Sequence, residues 1–142
     1  MRSAARSIAV AALATVMLHA CGGKSSPSTP TALTPAPLPP VGSVDPALVG
    51  TWAGNLEGSF GPGAFIMTLA PTGAVSTVNT GGSSNYCAVN GDWGVAADKF
   101  TARGSDCTGT IVTFSAPSSP TRLSGTWSAS SGRNGTFAIT KE

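Results

Sequence analysis

The stretch LVGTWAGNLE, Leu48 to Glu57, sets the fold of everything that follows it. Its apolar residues do not recur at the three- and four-residue spacing of a helix. Trp52 and Leu56 share a parity with Gly50 and Gly54, which places them on one face of an extended strand. Seven further runs carry the same short alternation: AFIMTLA, AVSTVNT, NYCAVNGDWGV, KFTARG, GTIVTFSA, RLSGTWSA and GTFAITK. Turn residues separate them. PTG at Pro71 to Gly73 and NG at Asn134 to Gly135 offer the positive φ angles that tight hairpins demand. Residues 46–142 therefore predict one all-β domain of about a hundred residues. About eight strands joined by short turns favour an antiparallel meander closed into a small barrel, with a β-sandwich as the alternative.

All three tryptophans stand two residues after a glycine: Gly50 and Trp52, Gly91 and Trp93, Gly125 and Trp127. In a strand each glycine leaves a gap beside its own tryptophan, which a neighbouring ring or backbone can occupy. The first copy, at the start of the first strand, resembles the Gly-x-Trp signature of the calycin group, the lipocalins and avidins. That resemblance implies an eight-stranded meander barrel that binds a small ligand. It also implies a late basic residue over the first tryptophan, for which Arg122 and Arg133 are both placed late enough.

Ahead of the domain the chain reads as an address. An apolar run of about eleven residues, Ile8 to Leu18, is too short to span a bilayer, which takes roughly twenty. Arg2 and Arg6 precede it and no acid does, so residues 1–20 have the order of an export signal. LHAC, Leu18 to Cys21, resembles the lipobox of bacterial lipoproteins. The resemblance implies cleavage before Cys21 and acylation of Cys21 with palmitate-like chains, hence a membrane lipid anchor. With Gly22 rather than aspartate next, it implies the cell envelope, and the outer membrane if the cell has one. Residues 21–45 hold six of the eleven prolines and no apolar periodicity, the composition of a disordered tether.

Cleavage changes the chemistry that the chain can carry. Eight basic and six acidic residues become six and six once Arg2 and Arg6 leave, so a basic precursor gives a near-neutral mature protein with no call on nucleic acid. The single histidine, His19, leaves as well. Without it the usual serine triad and histidine-based metal sites are excluded, and neither a metal nor an organic cofactor is expected. Outside the cytoplasm Cys87 and Cys107 are expected to pair, closing a loop of about twenty residues for roughly 3 kcal/mol.

Of the acids, Asp92 and Asp106 are the pair to nominate for glycosidase chemistry. Asp92, Asp98 and Asp106 nevertheless all sit beside glycine or other turn-forming sequence, where aspartate serves a turn, so no enzyme is expected. Two functional classes then compete. One is a small-molecule carrier with Trp52, Trp93 and Trp127 as an apolar wall and Tyr86, Asn85 or Thr77 fixing the ligand. It draws on the many small inward residues, which leave space in a barrel with only nine aromatics. The alternative is an interaction or inhibitor module that reads an envelope protein or wall polymer through loops such as EGSFGPG and NTGGSSN. Bacterial lysozyme-inhibitor lipoproteins are similar in plan to the second.

Overall fold

The computed structural model describes residues 41–59, 61–82 and 87–142. The signal peptide, Cys21 and most of the tether lie outside them, as do Asn85 and Tyr86. A 3-10 helical turn, Pro46–Leu48, leads into eight strands: β1 Gly50–Gly58, β2 Gly63–Leu69, β3 Ala74–Gly82, β4 Asn90–Ala96, β5 Lys99–Ser105, β6 Ile111–Pro117, β7 Arg122–Ala129 and β8 Asn134–Lys141. Each pairs antiparallel with the next and β8 pairs with β1, so the meander closes into a barrel rather than a sandwich. Among the described residues no helix is long and apolar enough to cross a membrane.

Alternation is what closes it. Trp52 and Leu56 of β1, Phe65, Met67 and Leu69 of β2, Phe100 and Ala102 of β5, and Phe137 and Ile139 of β8 all point inward and are buried. Their neighbours on the other parity form the outer wall. Closure also requires neighbouring strands to press together at corners, and there the inward glycines act. A Cβ on Gly91 would strike the Arg103 carbonyl, and one on Gly125 would strike the Ser115 carbonyl. The gap beside each of these tryptophans is thus filled by the backbone of the adjacent strand.

The ends of the barrel differ. The β2–β3, β4–β5 and β6–β7 connections and the chain's approach to β1 lie at one end. The β1–β2, β3–β4, β5–β6 and β7–β8 connections lie at the other. The first end is stopped by the 3-10 turn, whose N-cap Asp45 accepts a hydrogen bond from the Ala47 N–H at 2.9 Å and whose Leu48 is wholly buried. Ser43 already bridges Val95, so pairing with the barrel begins inside the stretch read as tether, three residues before Pro46. At the β4–β5 hairpin, Ala97 and Asp98 both take positive φ, 48° and 59°, as a type I′ turn requires.

Three details depart from the sequence reading. NG is not a turn: Asn134 and Gly135 open β8, and the positive φ falls on Gly132 at 86° instead. Gly135 is small because the Glu57 carbonyl and the Trp127 indole crowd the space a Cβ would need. Asp92 is not in a turn either, but exposed on β4 opposite Arg103. Finally, β4 begins at Asn90 and not near Asn85. Its ladder with β3 is only three pairs long, Ala74–Asp92 to Ser76–Asn90. At the next rung the Thr77 N–H still reaches the Val89 carbonyl, but the Val89 N–H turns to the Thr77 hydroxyl, both at 2.9 Å. Beyond that rung the chain leaves β3 for the disulfide between Cys87 and Cys107.

Candidate functional site

The three tryptophans divide between the two ends. Trp52 is 0% and Trp93 1% exposed, and their indole N–H groups donate to the Leu48 and Ala70 carbonyls at 2.9 and 3.0 Å, both at the stopped end. Trp93 also leans on Phe100 with ring centroids 6.3 Å apart. A wholly buried indole whose only polar atom is satisfied by backbone is a core element. The basic residue over the first tryptophan is neither Arg122 nor Arg133. It is Lys141, whose Nζ lies 6.0 Å from the Trp52 ring centroid and donates to the Ala47 carbonyl at 2.8 Å. The last residue of β8 thereby fastens the 3-10 turn over the barrel mouth.

The opposite end is not filled. A cavity of about 40 Å³ lies there, floored by Leu56, Phe65, Val112, Phe114 and Trp127. The floor is aromatic and ordered: Phe65 stacks on Phe114 at 6.0 Å, and Phe114 meets Phe137 edge-on at 5.4 Å. Trp127, 2% exposed, is held by an indole N–H to the Glu57 carbonyl at 2.9 Å across Gly135.

A polar rim stands over this floor, made of Thr77, Asn79 and Asp106. Thr77 is the buried polar side chain of the barrel and spends one acceptor position on Val89. Asn79 Oδ1 accepts from the Gly81 N–H at 3.0 Å. Asp106 Oδ1 receives the Thr108 N–H, the Thr108 hydroxyl and the Thr110 N–H at 2.8, 2.6 and 2.9 Å. Partial burial pushes this carboxyl up, but those hydrogen bonds and the Arg133 charge outweigh it, so Asp106 titrates below its ordinary value. The Cys87–Cys107 bridge ties the β3–β4 connection to the β5–β6 connection here, and Cys87 is itself part of the cavity wall.

Of the residues nominated from sequence, Trp127 and Thr77 meet at one cavity, while Trp52 and Trp93 belong to the opposite core. Asp106 keeps its turn role and Asp92 lies on the outer wall, so the nominated carboxylate pair does not share a site. Asn79, Phe65 and Phe114 went unnominated; inward parity near a strand end is the signal that finds them. Among the described residues, no three His, Cys, Asp or Glu side chains gather as a metal site would need. Comparison of the sequence with protein-family models and with curated proteins finds no match.

Proposed function

We propose that the barrel is a non-catalytic binding domain that receives one end of a small amphipathic molecule at its disulfide-bridged end. We propose further that Cys21 anchors it, as a bacterial lipoprotein, to an envelope membrane. The observation that carries the first part is the contrast in filling: an apolar cavity under a polar rim at one end, and packed indoles at the other. A floor of aromatic rings with a few hydrogen-bonding groups at its edge is the usual chemistry of a small-molecule site. The volume sets the size of the guest. About 40 Å³ has room for roughly three water molecules, so a methyl-branched tip or the edge of a ring enters while the remainder stays among the loops.

Tryptophan fluorescence tests this reading. Titrating short fatty acids and heterocyclic amides into the protein is expected to change emission saturably, and the change is expected to vanish in Trp127→Phe but persist in Trp93→Phe. Unchanged emission with every compound would remove the carrier reading. The anchor has its own test: Cys21→Ala is expected to release the protein from the membrane fraction, and a mature N-terminus other than acylated Cys21 in mass spectrometry would refute it.

The small volume also supports a second reading. A site that admits only a tip binds weakly by itself, and the connections around it would then be the contact surface for an envelope protein or wall polymer. Binding that survives Trp127→Phe but is lost when the β7–β8 connection is altered would select this alternative.

A further inference from the structure

On the outer wall, far along the strands from the cavity, two transverse rows of polar side chains cross β5, β6 and β7. One runs Thr101, Ser115, Thr126; the other runs Arg103, Thr113, Ser128. The β6–β7 ladder stops at Ser115–Thr126, and a groove of about 480 Å³ opens where these strands part. Ala116 and Pro117 give it an apolar strip, Thr126 a hydroxyl, and Asp98 and Lys99 one charge of each sign. Two buried side-chain polar atoms among the described residues have no hydrogen-bond partner, Ser115 Oγ and Arg103 Nε, and both belong to this wall. Buried donors are ordinarily satisfied, and an unsatisfied one calls for a partner.

We infer that this groove is a saccharide site, distinct from the cavity and independent of what the cavity binds. The charges select the class of ligand. Lys99 is offset by Asp98 in the groove, and Arg103 faces Asp92 across β4 and β5, so an anion or a cation gains little there. A neutral molecule with many hydroxyls matches a surface that offers donors and acceptors together. Its C–H face rests on Ala116 and Pro117. A turn about χ1 brings the Ser115 hydroxyl to it. The volume falls in the range of established ligand sites, enough for one or two sugar rings, and a shallow open trough suits a segment of a longer glycan.

The test follows backbone amide shifts in the full-length ¹⁵N-labelled protein during titration with maltose, cellobiose, N,N′-diacetylchitobiose and, separately, inorganic phosphate. At least one sugar is expected to shift Lys99, Thr101, Ser115 and Thr126 saturably, while phosphate leaves them in place. Ser115→Ala and Lys99→Met are each expected to weaken that sugar about threefold to tenfold. Ser115→Ala removes an unpartnered hydroxyl, so a purely structural role predicts unchanged or raised thermal stability and no effect on binding. Absence of sugar-dependent shifts at these amides, shifts produced by phosphate alone, or undiminished sugar binding by both variants would each overturn the inference.

Discussion

At the stopped end of the barrel every large side chain has a fixed partner: Trp52 and Trp93 donate to backbone carbonyls, Lys141 clasps the 3-10 turn, and Leu48 seals the interior. At the other end the same alternation of inward residues leaves a cavity, and long-range order comes from a covalent bridge and from side chains that bond to loops. The first end is held by apolar burial, which is non-directional and tolerates little loss of volume. The second is held by a handful of specific links, each of which can be cut singly. A protein that binds at one end of a barrel gains from this division, because the packed end maintains the strand geometry while the linked end keeps space.

The largest effect should come from the packed end. Trp52→Ala removes a wholly buried indole and leaves a void where strands cannot close, at about 3 to 5 kcal/mol. Much of the stability of an ordinary domain lies in that range, so urea denaturation is expected to show a largely unfolded variant or a greatly lowered midpoint. A Trp127→Ala loss as large as that of Trp52→Ala would break the comparison, since space already adjoins Trp127.

Next in size is the covalent link. Reduction of Cys87–Cys107, which are twenty residues apart, is expected to cost about 3 kcal/mol and to lower the melting temperature by more than about 10 °C. Hydrogen exchange sharpens the point: amides of Val89 and Thr110 should lose protection while those of Val49 and Trp93, at the other end, keep theirs until global unfolding.

Thr77→Val should be milder, about 1 to 3 kcal/mol. The isosteric side chain keeps the volume but deprives the buried Val89 N–H of its acceptor. If the diverted rung matters, the variant weakens the β3–β4 seam specifically, which amide exchange at Thr77 and Val89 would reveal. A variant as stable as the native protein, with unchanged exchange, would show that the bridge alone holds this seam.

The strands were legible because period-two alternation is local, and β7 falls on RLSGTWSA without displacement, Arg122–Ala129. Barrel closure was legible only through the Gly-x-Trp resemblance, since nothing in a strand's own sequence states which strand it pairs with. What escaped was the information written across strands. Gly135 looked like half of an NG turn because its true constraint, the Glu57 carbonyl and the Trp127 indole, comes from residues far away in sequence. Lys141 escaped for the same reason: its partners, Ala47 and Trp52, lie ninety-four and eighty-nine positions upstream (141 − 47 = 94 and 141 − 52 = 89). The cavity went undrawn because filling depends on how inward side chains of eight strands meet, and small inward residues alone overstated the space.

The smallest effect concerns charge at the linked end. Asp106 titrates below its ordinary value in the folded protein, so the folded state binds fewer protons than the unfolded chain in acid. Its contribution to stability is therefore complete above the unfolded carboxylate value, near pH 4, and is lost as the pH falls through the lower folded value. Asp106→Asn isolates that term, because the amide oxygen can still accept from the Thr108 and Thr110 N–H groups while the charge facing Arg133 is gone. At pH 7 the variant should melt a little below the native protein, by less than Thr77→Val does, because a carboxylate so near solvent is well screened. Between pH 5 and pH 2 the two melting curves should converge, as the native protein loses what the variant never had. Melting followed across that interval in low and high salt decides the matter: parallel curves would mean that the turn, and not the charge, is what Asp106 supplies to this end of the barrel.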